Sequence, residues 1–481
     1  MPSPELSLRL AELDDLAQSG ALLGWDQQVN MPPGGAEARG ELMATLEGIH
    51  HARLVDPELA ELLRADGSRL AAAVLRDVDR AQRIPADLIA EKTRAAASAQ
   101  TAWIAAREAN DFSLFAPALE RHVELNKRLS ACFPEADHPY DPLLEAFEPG
   151  MTTADVRAVF ARLRDGLVEL VADVAKQPLP PELPGPFPVA AQRALALEMA
   201  RSMGYDDDHW RIDLAVHPFM QSIGSTDIRV TSRYNDDSLE GLFAVLHEMG
   251  HGLYERQIAP ELARTTVGTG VSLGMHESQS RLWENLVGRS QAFWKHWHPR
   301  LLETFGSEAL GTDDLDLFLS AINAVKPSLI RVTADEATYC LHVILRFELE
   351  VEMMEGAVAV AELPAAWNAK VKGLLGLDVP DDVEGVLQDI HWAFGEFGYF
   401  PTYAIGNIIA VQLLEAISDA LPSLFADISR GELGSLSDWL RENIHRHGRL
   451  FTTPELLEMA TGKQLDPIPM LQYLRAKFVT S

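Results

Sequence analysis

Apolar side chains recur at three- and four-residue spacing through most of this chain, and this spacing places them on one face of an α-helix. The pattern predicts helices over residues 6–23, 88–103, 156–174, 239–256, 277–296, 315–322, 330–355 and 403–417. Thr153 is the expected N-cap of the third helix, with Asp155 in its first turn. We therefore expect a mainly α fold.

Two segments alternate between apolar and polar residues and are rich in β-branched side chains, residues 210–219 and 226–234. They predict a small antiparallel β-sheet beside the helix at 239–256. The proline-rich segment QPLPPELPGPFP, residues 177–188, blocks both helix and strand. We expect it to connect an N-terminal helical half, 1–176, to a second half, 189–481, within a single domain.

The chain has 71 acidic and 41 basic side chains among its 481 residues, which gives a formal net charge of −30. Such a surface repels phosphate backbones and anionic lipids, so nucleic acid and membrane partners are not expected. Cys132 and Cys340 are too few for a disulfide framework. With no signal-peptide pattern at the N-terminus and no long apolar run, the sequence predicts a cytoplasmic protein.

The segment HEMGH, residues 247–251, carries the chemistry. On a helix, His247 and His251 lie one turn apart and can present two imidazoles to one metal ion. Glu248 then faces the open side of that ion, where it can act as a general base. The competing interpretation is two buried structural histidines and a surface glutamate. The strongly apolar flanks of HEMGH favour the metal site.

A catalytic zinc needs a third protein ligand. The downstream candidates are Glu255, Glu261, His276, Glu277 and Glu284. Glu255 is about 12 Å along the axis from His247, too far for one straight helix. Glu277 is expected at the start of a second helix across from the first, which makes it the preferred candidate. Glu284 is better suited to an ordinary helix contact.

The chain resembles the carboxypeptidase Taq family of metallocarboxypeptidases, and the resemblance covers essentially its whole length. The matching motifs are LLGWDQQVNMPPGGAEARG at 22–40, HPF at 217–219, DIRVT at 227–231, HES at 276–278, IRVTAD at 330–335, GVLQDIHW at 385–392 and GYFPTY at 398–403. HExxH alone is shared by many metallopeptidases, but the joint set of motifs is specific to this family.

The resemblance implies a large helical zincin-type metallopeptidase with a deep active-site groove. It implies His247, His251 and Glu277 as ligands of one zinc ion and Glu248 as the general base. The same ligand set also accepts cobalt. The resemblance also implies an exopeptidase that removes C-terminal residues one at a time with broad specificity, and a homodimer.

A peptidase of this kind needs a donor for the oxyanion and a cation for the substrate carboxylate. Tyr403 is the candidate donor, although it could instead be a core tyrosine. Arg331 is the first choice for the carboxylate, and the alternative is an ion pair with Asp335 on the same helix face. Arg229 is the second choice.

Four further polar residues are candidates for substrate contact. They are His276, which could alternatively be a metal ligand, and His217, Gln388 and His391. Gln388 and His391, with Asp389 between them, could instead orient the metal ligands.

Two other functions compete with the carboxypeptidase. One is an oligopeptidase with the same zinc chemistry but no carboxylate clamp. The other is a catalytically inactive helical protein that binds peptides. The complete set of His247, Glu248, His251 and Glu277 counts against the inactive protein.

Overall fold

The computed structural model describes residues 2–479. Helices dominate the first half of the chain: α1 Pro4–Val29, α2 Ala36–Leu54, α3 Pro57–Asp66, α4 Arg69–Arg83, α5 Ala86–Ala109, α6 Ala116–Ser130, α7 Asp141–Leu144, α8 Thr153–Val174 and α9 Val189–Met203. The predicted mainly α fold is confirmed.

The second half begins with the strands β1 Trp210–Leu214, β2 Met220–Ser222 and β3 Ile228–Ser232. The helices that follow are α10 Glu240–Arg256, α11 Leu273–Arg281, α12 Gln291–Leu310, α13 Leu315–Ile322, α14 Tyr339–Glu355, α15 Leu363–Leu375, α16 His391–Phe394, α17 Pro401–Ala420, α18 Leu424–Ile428, α19 Gly434–Asn443, α20 Thr453–Thr461 and α21 Ile468–Phe478. A π-helical turn, Leu282–Val287, continues α11.

The sheet has the strand order β1-β3-β2, and the prediction of a purely antiparallel sheet was wrong. β3 pairs antiparallel with β2 but parallel with β1. The predicted strand 210–219 ends early, at Leu214, and Pro218, which has no N–H for a ladder bond, lies in the segment that follows. The chain turns there, so that β2 forms a hairpin with β3, while β1 lies on the other side of β3.

Two of the predicted helices are also broken. Residues 277–296 are divided between α11, the π-helical turn and α12, where Ser290 caps the new helix by accepting from the N–H of Phe293. Residues 330–355 begin with a short 3-10 turn, Arg331–Thr333, and α14 starts only at Tyr339. The Asp335 side chain accepts from backbone N–H groups in the gap, which competes with helix formation.

The predicted N-cap of α8 was wrong by one residue. Thr152 is the N-cap, since its side chain accepts from the N–H of Asp155, and Asp155 bonds back to the N–H of Thr152. This reciprocal pair is a capping box, and it leaves Thr153 as the first helical residue.

The buried apolar side chains form one large cluster and one small one. The large cluster extends from Leu88 to Leu474 and contains the site described below. The small cluster joins α1, α3 and α4 to the segment that follows α10. The proline-rich connection packs against the large cluster: Phe187 is fully buried and contacts Phe305 edge to face.

Within residues 2–479, no helix combines the length and the apolar character that a membrane crossing requires.

Candidate active site

Helix α10 places the HEMGH side chains, and α11 faces it at very short range. Phe243, Val245 and Leu246 are buried and fix the inner face of α10. Gly250 is the closest point of the two helices, because a Cβ atom there would lie 2.6 Å from the carbonyl oxygen of Gln279. Glycine therefore allows the main chains to touch, which brings α11 within reach of the two histidines.

Helix α11 is itself held at its beginning. Ser272 caps it by accepting from the N–H of Met275. The buried carboxylate of Glu148 accepts from the N–H of Gly274 and from Thr453 Oγ1 at 3.2 Å. Burial raises the pKa of Glu148 to about 7. Glu277, one turn further along, is thus carried by a helix whose N-terminus is fixed.

Three side chains converge between α10 and α11. Glu277 Oε2 lies 3.6 Å from His247 Nε2 and 3.5 Å from His251 Nε2, and one ligand atom from each residue lies within 4.8 Å of the others. Ligands bound to a tetrahedral ion at about 2.0–2.2 Å are about 3.4 Å apart. The two imidazoles and the carboxylate therefore fit a divalent ion such as zinc.

His247 is supported by carboxylates. Its Nδ1 lies 2.8 Å from Glu284 Oε2. Arg281 donates to Glu277 at 2.6 Å and to Glu284 at 3.3 Å, and Arg289 lies 3.8 Å from Glu284. Burial alone would lower the pKa of His247, but Glu277 and Glu284 outweigh it and raise the pKa to about 9. This strongly negative surrounding suits a cation.

His251 is supported differently. Its Nδ1 lies 2.6 Å from Nδ1 of His276, and His276 Nε2 lies 3.0 Å from Glu255 Oε1. Burial alone would raise the pKa of Glu255, but hydrogen bonds from His276, Gly270 and Thr269 lower it. Glu255 is therefore ionised, but it is not a ligand itself, because His276 lies between it and His251.

Glu248 is only 5% exposed and points to the same cleft as the two histidines. Burial raises its pKa to about 7, although the neighbouring His247 opposes the shift. A carboxylate with such a pKa can both accept and return a proton near neutral pH.

The cleft has a volume of about 670 Å³. Its walls come from the β2 strand, the loop before α11, the loop around Phe147 and the start of α17. Among the residues 2–479 that line it, Arg449 is the one arginine or lysine, and it also lies 3.1 Å from Asp77 on α4.

Arg331 lies behind this wall and is 5% exposed. Its Nε and Nη2 donate to Asp389 at 3.0 and 2.8 Å, and its Nη1 donates to the hydroxyl of Tyr339 at 3.1 Å. Arg346 donates to the other oxygen of Asp389 at 2.7 Å. The alternative prediction, an ion pair between Arg331 and Asp335, was wrong, because the segment between the two residues is not a continuous helix.

Tyr403 separates Arg331 from the cleft. Its ring lies 5.0 Å from the guanidinium carbon of Arg331, and its side chain lines the cleft with Tyr399. Burial and the neighbouring Tyr399 raise the pKa of Tyr403 well above its usual value. The phenol therefore keeps its proton and can donate.

Gln388 and His391 flank Asp389 outside the cleft wall. The Gln388 side chain accepts from the N–H of Arg331 and donates to the carbonyl of Leu329, so it holds the backbone. The ring of His391 packs 4.6 Å from that of Phe400, and burial lowers the pKa of His391 to about 4.

The remaining candidates are dispersed. Arg229 is bonded to Asp227 and lies 4.3 Å from the ring of Trp25. His217 is exposed on the turn before β2. His276 lines the cleft, but both of its ring nitrogens are engaged by protein groups.

The sequence did not reveal several residues that complete the site. The prediction of an ordinary helix contact for Glu284 was wrong, because Glu284 is the hydrogen-bond partner of His247. Glu255 supports His251 through His276. Tyr339 and Arg449 have no sequence signal beyond their residue type. An arginine within the apolar run of α14, where Arg346 is fully buried, was the one available indication of a buried ion pair.

Comparison with known proteins gives one consistent result. The family model of the carboxypeptidase Taq (M32) metallopeptidases matches residues 5–478. Thermostable carboxypeptidase 1 of Thermus thermophilus is 42% identical, over 96% of this chain and 95% of the relative. Carboxypeptidase 1 of Bacillus subtilis is 36% identical, over 98% of this chain and 96% of the relative. The crystal structure of the M32 carboxypeptidase from Deinococcus radiodurans has a TM-score of 0.96, 42% identity and 98% coverage of both chains.

A helical body with an HExxH helix and a facing carboxylate is the architecture of a metallopeptidase. The chain belongs to the carboxypeptidase Taq (M32) family, which confirms the resemblance read from its motifs. It is a metallocarboxypeptidase, a hydrolase that acts on peptides. Membership implies a divalent metal, and the triad of His247, His251 and Glu277 is a possible site for it.

Proposed function

We propose that this enzyme is a zinc carboxypeptidase that releases C-terminal residues one at a time with broad specificity. The observation that carries the proposal is the triad of His247, His251 and Glu277, with Glu248 beside it in the cleft. Cobalt accepts the same ligand set and is expected to replace zinc. Bound there, the ion would act as a Lewis acid toward the scissile carbonyl and would acidify a water molecule.

Glu248 is the proposed general base. Its carboxylate removes a proton from the attacking water and later delivers that proton to the leaving amine. The phenol of Tyr403 donates to the oxyanion, since it keeps its proton at neutral pH. Both side chains line the same cleft as the triad.

Arg331 is the proposed site for the substrate carboxylate. Arg331 and Arg346 share a single carboxylate, that of Asp389, which leaves one positive charge in excess. A carboxylate that enters beside Tyr403 would meet this charge once the tyrosine ring rotates. Arginine then offers two parallel hydrogen bonds, which a carboxylate matches better than an amide does.

A matched pair of peptides tests the reaction. One peptide ends in a free carboxylate and its twin ends in an amide, and mass spectrometry follows both with time. We expect a ladder that shortens only from the free C-terminus, no ladder from the amide, and loss of activity with a chelator. Equal turnover of the twins, or internal cleavage, would contradict the proposal in favour of an oligopeptidase.

We also propose that the chain is one domain and forms a homodimer. The packed proline-rich connection supports the single domain, because Phe187 is part of the large core. The homodimer follows from the family resemblance. Sedimentation velocity tests the dimer, and a single cooperative unfolding transition of the zinc-bound protein tests the single domain.

A further inference from the structure

We infer that His276 and Glu255 form a hydrogen-bonded chain that positions His251 for the metal, rather than a contact surface for substrate. This inference rests on the proposed metal site. Both ring nitrogens of His276 are already engaged: Nδ1 lies 2.6 Å from His251 Nδ1, and Nε2 lies 3.0 Å from Glu255 Oε1. No lone pair or N–H of the ring is left for a peptide.

The direction of donation along these hydrogen bonds follows from the ligand role of His251. Its Nε2 faces Glu277 and must keep a lone pair to bind a metal, so its proton is on Nδ1. That N–H must donate to Nδ1 of His276, which therefore has its own proton on Nε2. The Nε2–H in turn donates to Glu255. One tautomer satisfies every group in the chain.

Glu255 is held by both sides of the cleft. Its Oε1 accepts from Thr269 Oγ1 and from the N–H of Gly270, each at 2.9 Å, and its Oε2 accepts from Ser222 Oγ at 3.3 Å. Ser222 belongs to β2, whereas Thr269 and Gly270 precede α11. The chain thus connects two cleft walls to a metal ligand, and Glu255 is 4% exposed.

The zinc dissociation constant of the purified apoprotein is the direct test, measured by competition with a chromophoric chelator. His276→Phe removes both nitrogens but keeps a ring against Tyr254, which lies 5.2 Å away between ring centroids. We expect zinc affinity to fall about 10- to 100-fold. His276→Asn restores an oxygen acceptor for His251 but not the link to Glu255, so its affinity should lie between those of His276→Phe and wild type. The absorption spectrum of bound Co²⁺ should change in His276→Phe and recover in His276→Asn.

His50→Asn is the matched control, because it makes the same chemical change on α2, away from the cleft. If His276→Phe does not fold, Glu255→Gln is tested in its place. This variant should lower the affinity for zinc by up to about tenfold. An unchanged dissociation constant in the folded variant, or no recovery in His276→Asn, would overturn the inference. A wild type that binds no zinc would instead refute the proposed function.

Discussion

Two clusters of largely buried charged side chains lie at the cleft, one in its wall and the other behind Tyr403. The carboxylate cluster consists of Glu248, Glu277 and Glu284 with Arg281 and Arg289, so it has one carboxylate in excess when His247 binds a metal ion instead of a proton. The arginine cluster consists of Arg331 and Arg346 with Asp389, two guanidinium groups against one carboxylate. The first suits a dication and the second suits an anion, which are the two charges that a metallocarboxypeptidase must bind together.

Tyr339 lies between the two clusters and touches both. Its ring lies 4.5 Å from the guanidinium carbon of Arg281, and its hydroxyl accepts from Arg331. The ring and hydroxyl of Tyr339 therefore contact one guanidinium group of each cluster, and its neutral ring lies between these two like charges.

The largest effect is expected from Glu248→Gln in the carboxylate cluster. The amide cannot accept the proton, so kcat should fall about 10²- to 10⁴-fold. Zinc affinity and KM should change little, because the ligands and the arginine cluster are intact. Steady-state kinetics with zinc analysis checks both, and near-normal kcat would exclude Glu248 as the base.

Arg331→Lys breaks the arginine cluster while keeping its charge. Lysine cannot form two parallel hydrogen bonds, so kcat/KM for a free-carboxylate peptide should fall about 100-fold. Zinc content should be unchanged. Arg211→Lys is the control, since Arg211 is bonded to Asp213 on β1 and lies outside the cleft. An equal loss in both variants would indicate a general effect on stability.

The two clusters should differ in pH dependence. Glu248 must be ionised to act, and a bound dication will lower its pKa from the value of about 7 to which burial raises it. Activity is lost as pH falls through this pKa, so kcat should decline about tenfold per pH unit on an acid limb below pH 7. Although burial opposes it, Arg346 and Arg331 hold the pKa of Asp389 well below its usual value. KM should therefore not change over this pH range. A KM that changes with pH together with kcat would contradict the separate roles of the two clusters.

Tyr339→Phe should have the smallest effect. The variant keeps the ring beside Arg281 but leaves Nη1 of Arg331 without its acceptor. We expect a three- to tenfold rise in KM, about 1 kcal/mol, with unchanged zinc affinity. Calorimetric zinc titration and steady-state kinetics on one preparation separate the two quantities. A loss of zinc affinity would show that the clusters are coupled through Tyr339.

Much of the carboxylate cluster could be predicted from sequence, because helical spacing is local. His247, Glu248 and His251 lie within five residues, so a helix alone fixes their relation. Glu277 required one further step, the expectation of a facing helix. The arginine cluster could not be predicted in the same way. Arg331 and Asp389 are 58 positions apart and meet through tertiary packing. The spacing of apolar residues along the sequence does not predict such a contact.

The strand pairing shows the same limit. The alternation at 210–219 and 226–234 located β1 and β3 but missed β2, and it did not show which strands pair. Pairing depends on where the chain turns, and here it turns between the end of β1 at Leu214 and the start of β2 at Met220. The parallel pairing of β1 with β3 then depends on the whole connection rather than on either strand.

The contact at Gly250 has a thermodynamic consequence. Because main-chain atoms meet there, the spacing between α10 and α11 is set by the backbone and not by side-chain rotamers. Glu277 Oε2 already lies 3.6 and 3.5 Å from the two histidine nitrogens, close to the spacing around a bound ion, so taking up an ion should order few additional groups. Metal binding by this site should therefore have a small entropic cost of reorganisation, and a larger side chain at position 250 would increase it.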